Sequence, residues 1–329
     1  MAPLPHSPLL VHLGQALRGV PRERSGRQRP VSGGRLVLQE PGEICTNTDL
    51  GTHLLSCPED DAELQAVLGW LRLRDVSGLY TRAIANSVDY VLDGARTGRY
   101  DLLSPDVHPG ERASVGAKLE YEVLRSLGLP KTRPLDTVIT AVPVDIKATV
   151  GANWAIPAEA HCQLCICTQI ELGRSRHRSW LVRAHRSWLY RGKGNRDGKR
   201  GLAAHAREHW SVPLYEWTPL PVNPLTRLTP EQASRVLAKR PGQEQRFTMM
   251  FQYLAGHVIP RSVIATVGAG HHDPVRRARN IRKKLAQDGL VLLCGKFPEQ
   301  RDLAAAQKIT LGPEDWVALR MDGEPPHAG

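Results

Sequence analysis

From Asp60 onward the hydrophobic positions switch between two periods. Leu64, Val67, Leu68 and Leu71 recur at helical spacing behind Asp60 and Asp61, acids that suit a helix N-terminus. Ile84, Val88 and Val91 mark a second helix over about residues 78–92, ended by Asp93-Gly94 and followed by a basic turn from Arg96 to Arg99. The spacing predicts a third helix over 114–127, with Leu119, Val123, Leu124 and Leu127 as its apolar stripe. The period then falls to two. Residues 137–141 and 142–148 read as two short strands broken at Pro143, 161–170 as a third strand and 179–186 as a fourth.

The polar segments punctuate this pattern. Residues 191–207 carry Arg191, Lys193, Arg196, Lys199, Arg200 and Arg207 among glycines, the composition of a basic, mobile loop that runs into a short helix. Five prolines between 213 and 230 read as a linker. Helices are predicted over 230–238 and 245–257, with a short element over 261–267. Asp273 caps a further helix with Pro274 at its first position, running to 287. Val275, Ala278, Ile281 and Leu285 form one side of it; Arg276, Arg279, Asn280 and Lys283 form the other. Gly289 stops it, and residues 290–294 read as a strand. That order is the order of a winged helix-turn-helix, whose basic helix enters the major groove. The expected organisation is a basic tail without fixed structure over 1–57, a mixed α/β domain over 58–218, a Pro-rich linker over 219–229 and a winged helix-turn-helix domain over 230–329.

Composition narrows the partners. Lys and Arg outnumber Asp and Glu by 44 to 33, a formal net charge of +11. Such an excess favours an anionic partner, nucleic acid before a membrane surface. No run of about 18 apolar residues is present, so no membrane span is expected, and the N-terminal residues lack the basic region of a signal peptide. The six cysteines are scattered and form no disulfide framework, which points to a reduced, cytoplasmic setting.

The candidate chemistry gathers between Asp136 and Lys147. On a strand, Asp145 and Lys147 point the same way and Ile146 turns into the core. Asp136, one strand earlier, can supply a second carboxylate to the same end of the sheet. On the third helix, Glu120 falls inside the apolar stripe by phase, between Leu124 and Leu127, whereas Glu122 falls outside it as solvent-facing charge. A carboxylate on a buried face needs a partner or a metal. Glu120, Asp136 and Asp145 are therefore the expected acids of a Mg²⁺ site, with Ile146 counted among the metal-site residues, because Mg²⁺ prefers carboxylate and water oxygens. Lys147 is expected to orient the attacking water and stabilise charge at phosphorus. The competing reading is a buried Asp145–Lys147 salt bridge at a sheet edge.

Other motifs carry less. His161 and Cys162-x-x-Cys165-x-Cys167 have the look of a metal site, but zinc needs a second ligand pair and only the distant Cys294 is available, so the run reads as small side chains of a buried strand. His271-His272-Asp273 reads as a turn with an N-cap. The loop residues Arg196, Lys199 and Arg200, and the helix residues Arg276, Arg279, Asn280 and Lys283, are the candidate DNA contacts.

The runs LDGARTGRYDL, SVGAKLEYEV, VDIKATVGANWAIP, GNRDGKRGL and IPRSVIATV, in order over roughly Asp60 to Lys296, resemble the NaeI-type restriction endonucleases of the PD-(D/E)xK superfamily. The resemblance implies a restriction-endonuclease-like mixed sheet followed by a helix-turn-helix domain similar to that of catabolite activator protein. It implies a homodimer that cuts double-stranded DNA to leave 5′-phosphates, with Glu120, Asp136 and Asp145 at the acidic metal positions and Lys147 as the catalytic lysine. It further implies type IIE behaviour, in which a second copy of a palindromic, GC-rich site binds the C-terminal domain as effector, and a cognate DNA methyltransferase in the host. The chain departs from the family pattern in its N-terminal extension and across residues 202–238. Two other functions fit the same residues: a winged-helix regulator with a non-catalytic nuclease-like domain, and a repair nicking enzyme.

Overall fold

A computed structural model of the chain describes residues 39–47, 51–191 and 194–320. Residues 1–38 of the expected tail, and Lys193 of the basic loop, lie outside the described residues. The remainder of that tail is not featureless. Strands β1 (Ile44–Asn47) and β2 (Gly51–Leu54) pair antiparallel. Their sequences, ICTN and GTHL, carry no sustained apolar alternation to read.

Helix α1 (Ala62–Arg72) starts where Asp61 accepts a hydrogen bond from the Leu64 amide, and buries Leu64, Val67, Leu68 and Leu71 as their spacing predicts. Each such side chain contributes about 1.5–3 kcal/mol. Helix α2 (Val76–Leu92) ends at Asp93 in the left-handed region, and the expected basic turn is a single helical turn, α3 (Gly94–Thr97). Helix α4 (Pro109–Leu127) begins five residues before the predicted 114. His108 and Glu111 close a capping box there, and Pro109 takes the first position, where its missing N–H costs nothing.

Four strands follow α4, then a short helix and a fifth strand. They are β3 (Thr137–Ile139), β4 (Val142–Thr149), β5 (Leu164–Glu171), β6 (Arg176–Arg183), α5 (Ala204–His209) and β7 (Ser211–Pro219). The sheet order is β3-β4-β5-β6-β7; β4 and β5 run parallel and every other pair antiparallel. Two expectations fail here. The chain turns at Thr140-Ala141, with φ of 51° and 67°, the two-residue geometry of a tight hairpin. Pro143 does not break the strand: it sits in β4 opposite Val138, one residue before β4 begins to pair with β5. The first part of the expected linker is β7. An edge strand tolerates Pro213 and Pro219 because one side of its backbone needs no donor.

The sheet separates two cores. On one face, Ile146, Ile166 and Leu181 pack under α1, α2 and α4. On the other, Cys165, Cys167, Trp180 and Val182 pack with Trp154, Trp188, Leu202 and Cys45 of β1. His177 of β6 welds the helical side to the sheet edge. Its ring lies 2.8 Å from Thr81 Oγ1 on α2 and 2.9 Å from the Tyr215 hydroxyl on β7, and burial lowers its pKa to about 4.

The C-terminal third has its own core around Phe247, Phe251, Val263, Ile264 and Trp316. It comprises α6 (Pro230–Leu237), α7 (Gln243–Tyr253), α8 (Arg261–Val267), α9 (Pro274–Asn280), α10 (Arg282–Gln287), β8 (Leu290–Cys294), α11 (Pro298–Ala306) and β9 (Trp316–Arg320). The helix predicted over 274–287 is two helices, divided at Ile281, which keeps right-handed backbone angles (φ −77°, ψ −3°) while its side chain enters the core. Helix α11 and strand β9, which pairs with β8, were not expected. This region meets the first through α3 and α8. A Cβ at Gly94 would lie 2.2 Å from Thr266 Oγ1, so only glycine permits that approach.

Candidate active site

The turn before β3, the strand β4 and the helix α4 bring Glu120, Asp136, Asp145 and Lys147 together. The β4–β5 register aligns Asp145 with Cys165 and Lys147 with Cys167, so both side chains stand on the face opposite α4. Ile146 turns the other way and is 3 % exposed. Its backbone still serves the site. The Ile146 amide donates to Asp136 Oδ2 at 2.7 Å, and the Ile146 carbonyl accepts from Lys147 Nζ at 3.2 Å. Lys147 Nζ also lies 2.9 Å from the Asp145 carboxylate and 3.7 Å from that of Asp136.

Electrostatics divides the acids. Burial pushes the Asp145 carboxyl up to about 7, and Lys147 offsets this only in part. Burial also acts to raise Asp136, but hydrogen bonds from Glu120, from Lys131 and from the Ile146 amide outweigh it and hold Asp136 down at about 2. Glu120 is raised, first by burial and then by the neighbouring Asp136. Lys131 stands between the two carboxyls and donates to both. Burial alone would lower Lys147; Asp145 and Asp136 reverse that and keep it a firm cation.

These residues fit a divalent cation. Asp145 Oδ2 is buried and accepts no directed hydrogen bond, although the Lys147 ammonium lies 2.9 Å from it; Glu120 and Asp136 bring two further carboxyls to the same cluster. The donors are all oxygens, the set that hard ions take. A sequence model of the restriction endonuclease NaeI family matches residues 55–325.

The chain belongs to that family. No curated protein matches it. Membership in the NaeI family makes the chain a restriction endonuclease relative, a nuclease whose partner is DNA. Among the described residues, no helix is long and apolar enough to cross a membrane.

To this cluster the structure adds a residue that the sequence pattern missed. Lys131, in the loop between α4 and β3, donates to Glu120 and to Asp136. Its ammonium occupies the space between two acids where a metal would sit. Only its position five residues before Asp136 hinted at this. Removing that competing charge has an expected result: in Lys131→Met, half-maximal cleavage is reached at roughly tenfold lower Mg²⁺, from about 1.4 kcal/mol of relieved repulsion. A Mg²⁺ titration of cleavage rate checks it.

Glu122 corrects the helical-phase reading. It is not solvent-facing but 7 % exposed. Arg125 donates to it at 2.5 Å and Asn86 of α2 at 3.3 Å, with Lys118 3.4 Å away. Phase located Glu122 off the stripe correctly; it did not reveal that α2 packs on that side as well. Of the candidate DNA contacts, Arg276, Arg279, Asn280 and Lys283 are exposed on α9 and α10, and Arg196 is exposed, with Lys199 and Arg200 half-buried. The 194–200 loop is tied rather than free. Asn195 accepts from the Asp197 and Lys199 amides, and Arg200 pairs with Ile156.

Proposed function

We propose that the chain is a Mg²⁺-dependent type II restriction endonuclease that hydrolyses both strands of a palindromic, GC-rich DNA site, leaving 5′-phosphates. It acts as a homodimer, one site per strand, in the cytoplasm, beside a cognate methyltransferase. The observation that carries this reading is the convergence of three carboxyls, Glu120, Asp136 and Asp145, with two lysines, Lys131 and Lys147, beside β4. Glu120, Asp136 and Asp145, with the Ile146 carbonyl, would hold Mg²⁺; when bound, the ion polarises the phosphoryl oxygen and lowers the pKa of water.

The chain's own residues supply the rest. Lys147, kept protonated by two carboxylates, orients the attacking water and offsets charge at phosphorus. Asp136, ionised at all working pH values, fixes the Ile146 amide and so the position of β4. Helix α9, entered through the Asp273 cap, presents Arg276 and Arg279 to DNA in a winged helix-turn-helix arrangement within a C-terminal domain. That domain binds a second copy of the site as effector, the type IIE mode.

The test is to incubate the purified protein with plasmid DNA and Mg²⁺ and sequence the ends. Cuts at one repeated palindrome are expected; random or absent cutting overturns the reading. A one-site plasmid with a cleavage-resistant oligonucleotide tests the effector, and no stimulation sinks the two-site mode. Arg276→Ala and Arg279→Ala should each reduce the salt dependence of DNA binding by about one unit of slope, read by binding titrations across salt concentrations.

A further inference from the structure

The hairpin β1–β2 has little apolar surface to hold it down. Two-stranded hairpins are marginal alone. Ile44 and Leu54 are 56 % and 62 % exposed, while Cys45 is fully buried. Cys45 and His53 are cross-strand partners, so their side chains rise from one face. Cys162, just before β5, and His185, just after β6, meet them there. The ligating atoms of all four residues lie within 4.8 Å of one another.

The spacing suits a metal. Cys45 Sγ and Cys162 Sγ are 3.9 Å apart, nearly twice a disulfide bond of about 2.05 Å. A tetrahedral ion with thiolate bonds of about 2.3 Å sets its sulfurs about 3.8 Å apart. His53 Nε2 and His185 Nδ1 are hydrogen-bonded at 2.8 Å; two imidazoles about 2.0–2.1 Å from a tetrahedral ion stand about 3.3 Å apart, so these rings would part by about 0.5 Å to hold it. Cys162 holds φ at 62°, a left-handed conformation that residues with a Cβ rarely adopt, and its sulfur accepts the Arg186 amide at 3.4 Å. Strain kept at a side chain whose sulfur points into a cluster of ligands marks that sulfur as needed.

We infer that Cys45, His53, Cys162 and His185 form a tetrahedral Zn²⁺ site that pins the hairpin to the sheet. Two thiolates and two imidazoles select zinc over hard ions such as Mg²⁺. Four protein ligands close the coordination, so the site is structural and takes no part in hydrolysis. Binding releases the two thiol protons to solvent while both imidazoles bind neutral, through a lone pair. A cavity of about 540 Å³ lined by His53, Cys162 and His185 gives the ion access. Cys45 and His53 precede residue 55, where the family match begins, so half of the site lies outside the matched residues. Cys165 and Cys167 are not part of it; they pack in the sheet core.

The test is metal content of the full chain, purified without chelators or a histidine tag from zinc-supplemented cells. About one zinc per chain is expected, with thiolate-to-cobalt charge-transfer absorption after exchange into Co²⁺. His53→Ala and Cys45→Ser should lower bound zinc at least tenfold, whereas Cys167→Ser should retain it. His53 is only half-buried, so its variant remains informative if Cys45→Ser fails to fold. Wild-type protein without stoichiometric zinc, a Cys45–Cys162 disulfide by mass spectrometry, or full zinc in both ligand variants overturns the proposal. None of these readouts depends on DNA cleavage.

Discussion

Asp145→Asn is expected to leave DNA binding intact and to slow cleavage at least about 10³-fold, some 4 kcal/mol of transition-state stabilisation. The substitution keeps the size of the side chain and removes its charge. Among the described residues the Asp145 carboxylate pairs with the Lys147 ammonium, 2.9 Å from both of its oxygens, so its charge has no other structural work there. In the variant the Lys147 ammonium loses its nearest carboxylate and turns toward Asp136, 3.7 Å away. The site then lacks both the carboxylate charge that would face a cation and a correctly aimed ammonium. A filter-binding titration and a single-turnover cleavage assay separate the two quantities. Cleavage within tenfold of wild type would mean that Asp145 and Lys147 are a structural ion pair.

Mg²⁺ dependence should steepen below neutral pH. With the Asp145 carboxyl at about 7 in the metal-free protein, a proton competes with the cation. Half-maximal Mg²⁺ should rise by about tenfold per pH unit below about 7 and level off above it. Asp136, held at about 2, adds nothing to this dependence. The linked stability effect has the opposite sign from that of a salt-bridged acid. The folded state holds the Asp145 proton more tightly than the unfolded state does, where the carboxyl titrates near 3.9. The group therefore costs no stability below about pH 4, and its cost grows as pH rises to about 7. Melting of metal-free protein at pH 5 and pH 8, wild type against Asp145→Asn, isolates that contribution from those of buried histidines such as His177. Equal pH dependence in the two proteins would remove Asp145 as the titrating group.

The placement of Asp145, Ile146 and Lys147 was readable because the two-residue strand period is a property of the local backbone. So were α1, the Asp273 cap and the apolar stripe of α4, which depend on residues three or four apart. Residues whose role depends on what packs across from them were misread. Glu122 looked solvent-facing until Asn86 of α2 met it, and Pro213 looked like a linker residue until β7 took a sheet edge. Lys131 carried no signal in the sequence, because nothing in its neighbours says that it reaches Glu120. Cys45 and Cys162 stand 117 residues apart, a separation that no local pattern records.

By itself, the sequence determined the types of α1, α2, α4 and β4, the basic balance and the strand that carries one acid and one lysine, because propensity, charge and periodicity are short-range. Family membership followed from ordered runs along most of the chain. Only the tertiary structure decided which acids share a site, which lysine stands between them, and which cysteines face histidines rather than core. Those outcomes depend on burial and on distances between segments, and both arise only when the sheet brings remote residues within a few ångströms.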